Sequence, residues 1–167
     1  MKIKILYSIF FLFVSIVITA QNFELKDPDI IALKEKAKSK DFSEEIVYLY
    51  FLENYKPTSE KIKIKRSDYI EDSICSFEQT FENNIRYVVN NCDEEGGVTI
   101  NIFLPKIEKE KIKKWIEKIY SAEAGDVKNK WYSGKDIYGP EDKGAGCYYE
   151  ITPTKQKEWS ISIFCGC

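Results

Sequence analysis

Hydrophobic residues recur along this chain with two different periods, and the places where the period changes mark out its elements. Ile30, Ile31, Leu33 and Ala37 are spaced as a short helical face. Asp27 and Pro28 precede them as an N-cap followed by proline at the first helical position. Asp41 and Glu44 have the spacing of a capping box ahead of the run Ile46–Leu52, which stops near Pro57. That run is read as a helix, although its β-branched and aromatic residues equally suit a buried strand.

Beyond Pro57 the period shortens to two. A turn over Glu82, Asn83 and Asn84 places Phe81 opposite Ile85, Gln79 opposite Tyr87 and Phe77 opposite Val89. Folding Val98–Leu104 back across the loop Cys92–Gly97 sets Ile85 against Leu104, Tyr87 against Ile102, Val89 against Ile100 and Asn91 against Val98. Both pairings put Ile85, Tyr87 and Val89 on one apolar face. A slip of one residue would destroy that agreement, because it turns every side chain to the other face. The competing reading makes Asp68–Thr80 a helix, with Ile70, Ile74 and Phe77 at helical spacing. Upstream, the run Lys61-Ile62-Lys63-Ile64-Lys65-Arg66 reads as a strand with one solvated face.

Helical spacing returns after Pro105, which is read as a helix start. Ile107, Ile112, Trp115, Ile116 and Ile119 form a stripe, with Lys and Glu opposite and Gly125 at the end. An amphipathic helix beside a sheet with one apolar face is the ordinary two-layer arrangement, so the stripe is assigned to a core. Val127–Tyr132 is a candidate strand. Ser133–Gly146, rich in glycine and charge, reads as a long loop. A terminal hairpin sets Ile151 against Ile161, Tyr149 against Ile163 and Cys147 against Cys165, with Trp159, Ile161 and Ile163 facing inward. The expected fold is α+β: N-terminal helical segments, then an antiparallel sheet made of a meander, one long amphipathic helix and a C-terminal hairpin, in a two-layer sandwich.

The first twenty residues stand outside this pattern. Lys2 and Lys4 precede an uncharged apolar run from Ile5 to Ile18, and Ala20 offers a small-residue cleavage site. This is the form of a secretory signal peptide, and the run is short for a membrane span, which needs about 20 apolar residues. Residues 1–20 are therefore expected to be removed and residues 21–167 to form a single domain. The protein is expected to be periplasmic or secreted, with no permanent membrane span. An uncleaved anchor is the competing reading. The Lys- and Ile-rich leader ending Ala-Gln-Asn looks like those of exported Gram-negative proteins.

Export changes the meaning of the five cysteines, since disulfides persist in oxidising compartments. Opposed strand positions have the Cα separation a bridge needs, which points to Cys147–Cys165. Cys75 falls opposite Asn91, one residue from Cys92, which suggests Cys75–Cys92. Cys167 is left over and is the rival partner of Cys147. The Cys165-Gly166-Cys167 pair would also suit a soft metal or thiol exchange, but two sulfurs make an incomplete metal site.

Charge and chemistry narrow the function further. Loss of Lys2 and Lys4 would take the formal charge from −2 to about −4, so nucleic acid is not an expected partner. The chain has no histidine, which removes Ser–His and Cys–His nucleophile pairs and His-ligated zinc. No catalytic residue, metal site or cofactor is indicated. Asp93, Glu94 and Glu95 gather carboxylates on a hairpin loop, without the ligand spacing of an EF-hand. The aromatic-flanked long loop is the best candidate for partner binding, through Trp131, Tyr132, Tyr138, Glu141, Asp142 and Lys143. Three functions follow in order. The first is an envelope protein that binds another protein, as an immunity protein or as an inhibitor of a toxin or secreted enzyme. The second is a module for a sugar, peptide or lipid. The third is a hydrolase using two carboxylates.

Overall fold

The protein was analysed as a computed structural model, which describes residues 23–39, 46–66, 74–92, 97–123 and 127–166. The leader, the Asp41/Glu44 box, the carboxylates at 93–95, Gly125 and Cys167 lie outside the described residues. The fold is α+β. Two helices, α1 (Ile30–Ser39) and α2 (Ile46–Asn54), precede strands β1 (Ile62–Arg66), β2 (Ile74–Phe81), β3 (Ile85–Asn90) and β4 (Val98–Pro105). Helix α3 (Lys109–Glu123) then leads to β5 (Asn129–Trp131), β6 (Ile137–Pro140), β7 (Gly146–Pro153) and β8 (Glu158–Gly166).

The eight strands form one antiparallel sheet in the order β1-β2-β3-β4-β8-β7-β6-β5. The first four strands run outward to inward. Helix α3 carries the chain to the far edge, and the last four strands return to pair β8 with β4. That junction extends from Val98 opposite Cys165 to Pro105 opposite Glu158.

The registers follow from parity. Phe81 pairs with Ile85, Gln79 with Tyr87 and Phe77 with Val89. Tyr87 then meets Ile102 and Val89 meets Ile100. In the terminal hairpin, Ile151 pairs with Ile161, Tyr149 with Ile163 and Cys147 with Cys165. The β2–β3 turn is tight because Asn83 and Asn84 adopt φ of 61° and 58°, a region that asparagine tolerates better than most residues.

Local signals misplace four features. Pro105 ends β4 instead of opening α3, whose first turn closes from the Lys111 amide to the Glu108 carbonyl. Asp29 caps α1, its carboxylate accepting from the Ala32 amide at 3.1 Å, while Asp27 lies outside the helix. Ile31 points to solvent at 74% exposure, and Leu33 supplies the buried contact of that face. The stretch from Ser133 to Gly146 is no bare loop, for it contains β6 between two tight turns. Residues 46–54 are helical, and 74–81 are strand where a helix over 68–80 is the competing reading; 68–73 lie outside the described residues.

Among the described residues, helices cover only one face of the sheet. Ile85, Tyr87, Ile100, Ile102, Leu104, Tyr149, Ile151, Ile161 and Ile163 are buried in one core with Ile112, Trp115, Ile116 and Ile119 of α3 and with the aromatic run of α2. Phe51 lies 5.9 Å from Phe81 and 6.0 Å from Trp115, so α2 wedges between sheet and helix. Each fully buried side chain of this size contributes about 1.5–3 kcal/mol. The extended segment before α1 is clasped to α2: Tyr50 donates to the Lys26 carbonyl at 2.6 Å and Tyr55 to the Glu24 carbonyl at 3.1 Å. Just before β1, Lys61 reaches the covered side, 4.4 Å from the Tyr48 ring, whereas Ile62 and Ile64 of the strand are exposed.

Candidate functional site

Strand parity sends alternate residues of β5 to β8 to the uncovered face. There they build a groove of about 580 Å³. Its floor is Ile137 of β6, Tyr148 and Glu150 of β7, and Ser162 and Phe164 of β8. Tyr148 pairs directly with Phe164, and Glu150 with Ser162. Lys130 and Tyr132 line it from the β5 side, Ser133 and Lys135 from the β5–β6 turn, and Lys143 from the β6–β7 turn.

Glycines permit this floor. The Tyr148 ring rests on Gly139, where a Cβ would sit 2.7 Å from its Cδ1. Phe164 lies over Gly97 and Gly166, where added Cβ atoms would come within 2.8 Å of its ring. The rings therefore sit close to the backbone and keep the groove open above them.

The turns are pinned by the same aromatic residues. Tyr132 donates to the Pro140 carbonyl at 2.6 Å, and Tyr148 donates to the Gly144 carbonyl at 2.6 Å. The Asp142 carboxylate accepts from the Gly144 amide at 3.0 Å, which closes the turn locally. Both tyrosine hydroxyls are thus committed as donors, and what these residues mainly offer a ligand is their rings. Partial burial and the neighbouring Tyr148 push the Tyr132 phenol above its usual range.

Charge around the groove is mostly positive. Lys130 is bound to Glu141 at 3.3 Å, and the Lys143 ammonium lies 5.8 Å from the Tyr132 ring centre. Glu150 is the one carboxylate in the lining. Behind the turn, Asp136 accepts from Lys109 at 2.8 Å and faces Lys113 at 3.6 Å. The Lys109 hydrogen bond holds its carboxyl below the ordinary range, against the opposing effect of partial burial. Asp136 thereby ties the β5–β6 turn to α3.

The structure divides the residues chosen from the sequence. Tyr132 and Lys143 line the groove, and Glu141 and Asp142 shape its turn. Trp131 and Tyr138 face the helix layer instead. The Trp131 indole donates to Glu117 at 2.7 Å, and Tyr138 packs edge-on to Tyr120 at 5.4 Å. Burial, with the nearby Glu117 charge, raises the Tyr138 phenol. Lys130, Lys135, Glu150, Ser162 and Phe164 were missed, although the β7–β8 register already put Tyr148, Glu150, Ser162 and Phe164 on a common face.

Disulfides join Cys75 to Cys92 and Cys147 to Cys165, the pairs that the strand registers suggested. The second bridge lies between β7 and β8, and each of its cysteines is the neighbour in sequence of a floor residue, Tyr148 or Phe164. Among the described residues, no group of three His, Cys, Asp or Glu side chains is placed to hold a metal ion, and no helix is long and apolar enough to cross a membrane. No family model, curated protein or solved structure matches this chain.

Proposed function

We propose that the protein is an exported, disulfide-braced binding protein of the bacterial envelope. It acts by holding another protein, as an immunity protein or as an inhibitor of a periplasmic or secreted enzyme or toxin would. The observation that carries this reading is the aromatic-floored groove on the bare sheet face. Tyrosine and phenylalanine rings on a rigid sheet are good interface anchors, because they bring large contact area with little side-chain freedom to lose. The two pinned turns keep that surface organised before a partner arrives, which lowers the ordering cost of binding. Catalysis has weaker support: the lining holds one carboxylate, where a carboxylate-dependent hydrolase needs a pair.

A second reading, a module for a small ligand, is favoured by the groove's volume, which falls within the about 300–1,000 Å³ of small-molecule sites. One comparison separates the two. The full chain and a Phe164→Ala variant are expressed with an affinity tag in a Gram-negative host, and the intact mass of each reports whether the leader is removed. Stoichiometric capture of one envelope or medium protein by the parent, lost in the variant, is the expected result. A small molecule retained by the parent in native mass spectrometry, with no such protein, would favour the second reading. Identical protein capture by parent and variant would overturn the groove as the binding surface.

A further inference from the structure

We infer that the groove takes an acidic stretch of its partner protein, one in which carboxylates flank an aromatic or aliphatic side chain. This rests on the binding reading above and adds the chemistry of what is bound. The chain as a whole carries more acid than base, 27 Asp and Glu against 25 Lys and Arg, yet the groove reverses that sign. In its lining Lys130, Lys135 and Lys143 stand against Glu150, with Glu141 and Asp142 beside it in the β6–β7 turn. Lys130 is partly spent on Glu141. Lys135 and Lys143 have no carboxylate partner among the described residues, and they come from the two turns on either side of β6. Two ammonium groups without a carboxylate partner thus border the aromatic part of the floor from the two ends of β6.

The floor decides between an acidic peptide and an acidic saccharide. Sugars are held by many directed hydrogen bonds to their hydroxyls. Here the Tyr132 and Tyr148 hydroxyls are already bonded to the Pro140 and Gly144 carbonyls. Ring faces, the Phe164 edge and lysine charge remain, with Ser133, Glu150 and Ser162 as the other polar groups of the lining. An apolar side chain between carboxylates meets both: it desolvates against the rings while the carboxylates reach the rim, where flexible lysines contribute steering and moderate affinity.

The test uses the full chain and three probes. These are a capped hexapeptide alternating aspartate with tyrosine and phenylalanine, its counterpart with asparagine for aspartate, and a tetragalacturonate. Binding is followed by NMR shift perturbation and titration calorimetry. The acidic peptide is expected to perturb amides of 130–150 and 162–164. Its affinity should fall on the order of tenfold in the Lys135→Gln/Lys143→Gln variant, and fall again as salt rises. Unchanged thermal unfolding of that variant separates lost charge from lost fold. Equal binding of both peptides overturns the charge inference and leaves the binding reading standing. Binding of the tetragalacturonate without the acidic peptide overturns it in favour of a saccharide. Failure of all three probes overturns it as well, and the Phe164→Ala capture experiment then judges the binding reading independently.

Discussion

Gly139 has no side chain where the Tyr148 ring needs room, and this one contact positions much of the groove floor. A Cβ at 2.7 Å from the Tyr148 Cδ1 cannot be absorbed by a flexible tip, since the near edge of the ring is what it meets. Gly139→Ala is expected to push the ring into the groove and break its bond to the Gly144 carbonyl. Overpacking of this kind costs about 1–3 kcal/mol, readable as a lower urea midpoint with an unchanged slope. Asp136 gives a second test at this scale. Its carboxyl is held below the usual 3.8 by Lys109 and Lys113, so the folded state binds its proton less readily than the unfolded chain does. The stability this brings is present above the unfolded value and lost as pH falls through the lower folded one. Unfolding curves from pH 6 down to pH 2 should show that loss in the parent and less of it in Asp136→Asn. Identical pH profiles would remove the turn's tie to α3 as an ionic effect. Neither feature was legible in the sequence, because glycine spacing and a lone Asp before a β-branched residue occur in any turn.

At the scale of elements, legibility depended on how much burial a segment carries. Helix α3 and strands β3 and β4 each bury three or more large apolar residues, and β7 and β8 two each, so their period and register could be read directly. The parity argument even located both disulfides, since a register error would have separated their sulfurs. Strand β6 has four residues, two of them Gly139 and Pro140, and it buries no large aliphatic side chain. Its strand character comes from pairing with β5 and β7, which no local pattern records. The same holds for β1, where Lys61 just ahead of the strand lies over the rings of Tyr48 and Phe77 and Ile62 and Ile64 are exposed. Helix α3 offers the sharpest energetic test. Ile116 is fully buried where the helix meets the sheet, and Ile116→Ala should cost about 2–5 kcal/mol. Lys114→Ala, on the exposed side of the same helix, should change stability by less than about 0.5 kcal/mol. Equal effects in chemical denaturation would mean that α3 does not pack as described.

For the molecule as a whole, the layers and the bridges together explain why a site forms on one side. Helices seal one sheet face, and the strand ends carrying Cys75, Cys92, Cys147 and Cys165 all fall at one end of the sheet. The two bridges close loops of nearly equal length, with sequence separations of 17 and 18. Chain entropy then assigns each about 3 kcal/mol, so by stability alone they should be interchangeable. Position makes them different. Cys147–Cys165 holds the strand pair that carries Tyr148 and Phe164, whereas Cys75–Cys92 braces β2 and β3 on the other side of β4. Two double variants follow, Cys75→Ser/Cys92→Ser and Cys147→Ser/Cys165→Ser. Both should lose similar stability in urea. Only the second should also weaken the acidic hexapeptide, because its loss frees the two floor strands to part at the groove. If the first variant weakens the peptide equally, the groove draws its order from the sheet as a whole instead of from the bridge beside it.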